Sequence, residues 1–244
     1  MPSRRHLACA VISVVGAAML SGAPLAQAGG PGTYEVTITN LTQGQPFTPP
    51  LLATHRGKDA LFEVGDPASV GVQQIAENGN NGPLAAALAA DRHVSSTTAV
   101  MTPIVPAGRV SATGLPSQVT ASITAERGAH RLSFAMMLIC TNDGFTGVDS
   151  LELPRHVGQT VSVTTAGYDA GTEVNTQMFS DMVPPCRPLI TGGPLMGTGT
   201  SNPALAEGGI IHHHPGIQAG VGDLDAAVFG WNDPVARVDV RRVG

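Results

Sequence analysis

Strict alternation of apolar and polar residues recurs along this chain, and it restricts the fold more than any other feature. In Tyr34-Glu35-Val36-Thr37-Ile38-Thr39 it puts Tyr34, Val36 and Ile38 on one face of a strand. Val119–Ile123, Thr160–Thr164 and Val235–Val240 repeat the pattern. Arg131–Cys140 is almost wholly apolar after Ser133, as a strand covered on both faces would be. With only 6 Phe, 2 Tyr and 1 Trp, the core has to come from small and branched side chains, which suits many short strands joined by turns. The class expected is all-β.

One region breaks the pattern. Pro67–Ala76 and Pro83–Ala90 are rich in Ala, Leu and Gln and have Pro near their starts, so two short helices are expected within about residues 67–90. Glu77–Gly82, rich in Asn and Gly, separates them as a helix-terminating loop. Leu84 and Leu88 form the core-facing side of the second. Residues 181–209 hold five prolines and six glycines with no sustained period, the composition of a long surface connection, one that Cys186 could tie down. No internal repeat or second domain boundary is visible, so the insertion and the loop decorate a single core spanning 29–244.

The first 28 residues have the composition of an export signal. Arg4 and Arg5 supply the charge, Leu7–Leu20 the apolar stretch, and Ala26-Gln27-Ala28 the small-x-small cleavage site. The stretch is too short to span a membrane, and a secreted or periplasmic product is expected. Cleavage after Ala28 leaves 216 of the 244 residues, with 11 basic residues against 18 acidic. That balance argues against nucleic acid and against electrostatic attachment to anionic lipid. Cys140 and Cys186 then remain in an oxidising compartment, where a single disulfide is the natural pairing.

Two glycine-marked clusters gather the scarce acids: Thr141–Asp149, which carries Asp143 and Asp149, and Tyr168–Glu173, which carries Asp169 and Glu173. Both read as turns at strand ends. Acids four residues apart across Ala-Gly-Thr can surround one point if Gly171 takes a conformation closed to other residues. Converging carboxylates repel one another unless a cation intervenes, and oxygen donors suit calcium. Capping of turns by the same acids is the competing explanation. Asp149, before Ser150-Leu151, reads as a turn acid. Ile210–Gly216 contains His212, His213 and His214; on a strand the outer two share a face and could hold zinc or copper, with His55 or Asp223 as a third ligand. No Gly-x-Ser-x-Gly elbow, His-Glu-x-x-His helix or phosphate loop is present.

The run Tyr34–Thr42, Pro46–Leu51 followed by Ala53-Thr54-His55, the Gly147–Leu151 segment and above all Tyr168-Asp169-Ala170-Gly171-Thr172-Glu173 resemble a spondin domain, the N-terminal-type domain of F-spondin and the mindins. The resemblance covers roughly residues 32–243. It implies an antiparallel β-sandwich carrying one calcium ion on Asp143, Asp169 and Glu173. It also implies an extracellular binding or adhesion role, with a matrix, carbohydrate or cell-envelope partner, in place of catalysis. Two positions depart from the family pattern: Glu173 replaces Asp, and Gly144 stands where animal members usually carry Trp. The rival is a zinc- or copper-dependent enzyme built on His212 and His214, and a third reading is a purely structural envelope protein.

Overall fold

Alternation at period two is realised as two packed antiparallel sheets in a computed structural model that describes residues 31–57 and 61–244. The expected export signal, residues 1–28, lies outside the described residues. In chain order the strands are β1 Gly32–Asn40, β2 Leu51–His55, β3 Val94–Ala99, β4 Gln118–Ala125, β5 Arg131–Met137, β6 Gly144–Glu152, β7 Thr160–Thr165, β8 Tyr168–Asp169, β9 His212–His213 and β10 Ala236–Arg242. The helices are α1 Val70–Asn78, α2 Gly82–Ala90, α3 Val110–Thr113, α4 Cys186–Thr191 and α5 Ala226–Phe229. One sheet has the order β4-β1-β10-β7 and the other β3-β2-β5-β6-β8-β9. No helix among the described residues is long and apolar enough to cross a membrane.

Register follows from which face must be dry. Val36 pairs with Val240 and Ala121, and Ile38 with Val238 and Val119, so one face of the four-stranded sheet is continuous aliphatic surface. That face packs on Leu52, Leu132, Phe134 and Met136 of the six-stranded sheet. The opposite face of the larger sheet is covered by α1 and α2, whose Val72, Ile75, Leu84 and Leu88 meet Leu51, Ala53 and Ala135. The central strand β5 is therefore buried on both sides, as its unbroken apolar run requires. Burial of each such aliphatic side chain stabilises by about 1.5–3 kcal/mol.

Gly79 ends α1 with φ 64°, and its amide hydrogen-bonds back to the carbonyls of Gln74 and Ile75. The helix thus runs two residues beyond the expected Ala76.

Two expectations change. Strand β5 stops at Met137, because Leu138–Cys140 turns toward Pro46 and Gln45. Residues 147–151 are not a turn but the middle of β6: a Cβ on Gly147 would lie 2.1 Å from the carbonyl oxygen of Phe134, so glycine here permits close approach of β5 and β6. The Pro-Gly segment is tied down at Cys186, as expected: α4 buries Cys186 and Ile190 in a third apolar cluster with Met137, Ile139, Cys140, Met182 and Phe229. Cys140 and Cys186 are bonded.

Candidate functional site

The turn between β5 and β6 sits directly over that third cluster. Thr141 closes it, its hydroxyl donating to the Leu138 carbonyl (2.6 Å) and accepting from the Gly144 amide (2.8 Å). A Cβ at Gly144 would lie 2.4 Å from the Thr141 hydroxyl oxygen, so this closed form of the turn needs glycine there. Asp143 is thereby held inward, 0% exposed. Pairing of β8 with β6 sets Asp169 opposite Gly144, and pairing of β8 with β9 sets it opposite His212.

The Tyr168–Glu173 element then wraps around Asp143. Its Oδ2 accepts from the amides of Thr172 (2.7 Å) and Glu173 (3.0 Å) and from the Thr172 hydroxyl (3.3 Å). This depends on Gly171, whose φ of 67° turns the chain and whose missing side chain admits Ile210 to within 2.5 Å of where a Cβ would be. Asp169 accepts from the Gly171 amide (2.8 Å) through Oδ1 and from the Asn175 amide group (2.5 Å) through Oδ2. His212 Nε2 lies 3.8 Å from that second oxygen.

Asp143 and Asp169 are thus brought together, both 0% exposed. Glu173 reaches the pair with its main chain. Its carboxylate, also buried, accepts from the Asn202 amide (2.6 Å) on the side facing Glu77 and Asp181. Among the described residues, no three His, Cys, Asp or Glu side chains gather as a metal-holding group. Asp149 is a strand residue, not a turn acid: its Oδ1 accepts from the Leu61 amide (2.6 Å) and the Ser133 hydroxyl (3.2 Å).

One atom is conspicuous in this packing. Asp143 Oδ1 is buried and has no hydrogen-bond partner. Burial, with the Asp169 charge beside it, raises the Asp143 carboxyl to about 7, against the pull of its three donors. Burial likewise raises Glu173 to about 7, with Glu77 and Asp181 adding to it. An unpartnered carboxylate oxygen next to a second carboxylate is a place where a hard cation fits.

The histidines divide. His212 is half-exposed, and its Nδ1 donates to the Ile210 carbonyl (2.9 Å), so in the neutral ring Nε2 carries the lone pair toward Asp169. His213 faces the Tyr168 ring at 5.3 Å. His214 is buried against Trp231; its Nδ1 accepts from the Gly216 amide (2.9 Å), so the neutral ring carries its proton on Nε2, which has no partner. Burial drives its pKa down to about 4. The suggested third ligands are engaged elsewhere: His55 Nε2 pairs with the Ser133 hydroxyl (2.8 Å), and Asp223 accepts from the Phe179 amide (2.7 Å).

Several contributors escape a reading of acids alone. Asn175 holds Asp169. Asn142 accepts from the Gln177 amide (3.3 Å), and Gln177, at φ 54°, gathers the Asp223, Leu224 and Gln218 amides through its own oxygens. The Asn at position 175, two residues after the last acid of the motif, was the available signal.

Metal-free stability should fall as pH rises from about 4 through neutrality. Between about pH 4 and 7 the folded chain keeps protons on Asp143 and Glu173 that the unfolded chain has lost, so this stabilisation is complete below about pH 4 and gone above about pH 7. His214 acts oppositely, but only below about pH 6.5. In EDTA, melting at pH 6.5 is therefore expected to exceed melting at pH 8 by on the order of 1 kcal/mol. A flat or rising profile across that interval would contradict the burial of these charges.

No curated protein matches the chain. The model of the Spondin_N family matches residues 39–187, which include β2 through β8, both carboxylate turns and both bonded cysteines. Strands β1 and β10 fall almost wholly or wholly outside the matched range, yet they form the middle of the four-stranded sheet, so the folded unit is larger than the match. The chain belongs to the Spondin_N family.

Proposed function

We propose that this protein is an exported, calcium-dependent binding module that engages a matrix, carbohydrate or cell-envelope partner through the loop end carrying Asp143 and Asp169. The observation that carries this reading is the buried, unpartnered Oδ1 of Asp143 beside the Asp169 carboxylate. A divalent ion there relieves the repulsion between the two acids and gives that oxygen a partner. Asp143 and Asp169 are the protein's direct ligands. Glu173 acts through its amide, which orients Asp143. The ion supplies local positive charge that fixes the 141–144 turn against the 169–175 loop and with them the shape of this end of the sandwich. Export rests on the composition of the first 28 residues and on the family's extracellular setting.

The choice of ion separates this reading from the histidine-based enzyme. Thermal melts of the purified protein in calcium, zinc and EDTA are expected to show stabilisation by calcium and not by zinc. Stabilisation by zinc alone, lost on replacing His212, would instead favour the rival.

A further inference from the structure

The two seams of the sandwich are finished differently. At one, β4 ends the four-stranded sheet against β2 and β3. The Asn40 amide donates to the Ser117 carbonyl, which fixes the alternation along this pair, so Ser122 and Thr124 turn their main-chain groups away from β1. Side chains meet them there: the Thr98 hydroxyl donates to the Ser122 carbonyl (3.4 Å) and the Thr54 hydroxyl to the Thr124 carbonyl (2.7 Å). That edge is closed.

At the other seam β7 is the end strand, and its edge is open. The Arg242 amide donates to the Gln159 carbonyl, so Val161 and Val163 turn their main-chain groups to β10 while Thr160, Ser162 and Thr164 turn theirs outward. Among the described residues, no hydrogen bond reaches the main chain of those three from the open side. The inward face is unfinished too. Val238 and Val240 of β10 are 0% exposed, yet their partners Val163 and Val161 stay partly exposed. The strand consists of Thr, Val and Ser, without the charge, proline or bulge that shields natural edges.

A cleft of about 590 Å³ lies between this edge and β6, which β8 covers only at Gly144 and Phe145. Phe62, Val148, Leu151 and Tyr168 give it apolar walls. Glu63 adds an exposed carboxylate, and Arg131 is turned onto the Ser150 carbonyl (2.9 Å). With 18 acidic residues against 13 basic in the chain, a basic partner is favoured over an acidic one.

We infer that the β7 edge takes an extended segment of a partner polypeptide as an added strand, bonded to the main chain of Thr160, Ser162 and Thr164, with apolar side chains seated in the cleft and Lys or Arg facing Glu63. The inference rests on the binding-module reading only in treating the chain as a binder, and it adds a surface that uses neither Asp143 nor Asp169. Calcium-dependent melting reports on those acids and peptide binding on β7, so either idea can fail while the other stands.

The probe is a capped peptide of about eight residues, alternating valine and threonine between terminal lysines, titrated into the full chain in calcium and in EDTA. A Kd on the order of 100 µM is expected. Glutamates in place of the lysines should weaken binding about fivefold, and N-methylation of the amides that face β7 about tenfold or more. In the free protein the amides of Thr160, Ser162 and Thr164 should exchange fast and those of Val161 and Val163 slowly; about 1 mM peptide should slow the first three about tenfold. Thr164→Pro removes an outward N–H and leaves the β10 ladder intact, so it is expected to keep the fold and abolish binding. The inference is overturned by no binding at about 1 mM, by equal binding of the N-methylated peptide, or by unchanged binding to a folded Thr164→Pro variant. Protection of the three amides that rises with protein concentration in the absence of peptide would also overturn it, because a second copy would then occupy the edge.

Discussion

Replacing Asp143 with Asn is expected to abolish calcium-induced stabilisation while leaving the metal-free protein at pH 8 as stable as the parent, or more so. The amide keeps the oxygen that accepts from Thr172 and Glu173, and it turns the unpartnered Oδ1 into a donor beside Asp169. It also removes a charge that burial already disfavours. For the parent, calcium at about 100 times its Kd should contribute about 2.7 kcal/mol, or roughly 5–10 °C in Tm for a domain of this size. Melting curves of both proteins with calcium and with EDTA measure the difference. A variant destabilised in EDTA at pH 8 would mean that Asp143 serves packing and capping alone. A variant that still responds to calcium would mean that the ion binds elsewhere.

Loss of the Cys140–Cys186 bond should have the largest effect on stability. The bridge joins residues 46 apart. In the chain-entropy model, closing a loop of that length contributes on the order of 4 kcal/mol. A Cys140→Ser/Cys186→Ser double variant is therefore expected to melt roughly 10 °C lower, read by denaturation under non-reducing conditions. The effect should reach the carboxylates too, because Cys140 directly precedes the Thr141–Asp143 turn and its amide is held by Gln45 (3.1 Å). Weaker calcium response in the double variant would report that coupling. Melting within about 1 °C of the parent would show that the third apolar cluster holds α4 without the bond.

The sandwich was legible where one face is dry and the other wet. In β1, β4, β7 and β10 the period of two is strict, and each of these strands forms where alternation placed it. It was less legible where glycine serves two purposes. Gly147 looked like a turn residue because glycine marks turns, yet its role is to let β5 and β6 approach, and only the partner strand reveals that. Gly171 was read correctly because positive φ is a local property. The same distinction applies to the acids. Sequence put Asp143, Asp169 and Glu173 in one neighbourhood, and all three are buried there. The direction of each carboxylate was not legible, because it is set by partners far along the chain: Asn202 draws Glu173 away, and the 209–212 segment closes over Gly171 and Asp169. The His55–Ser133–Asp149 contacts were invisible for the same reason, since they join β2, β5 and β6 across pairings no local pattern specifies.

The most direct measurement of the central claim is an anomalous difference map from crystals of the protein grown in calcium. The account predicts one peak between Asp143 Oδ1 and the Asp169 carboxylate, within about 2.3–2.6 Å of an oxygen from each. A map without density there, with Asp143 Oδ1 instead bonded to a proton or a side-chain donor, would contradict it.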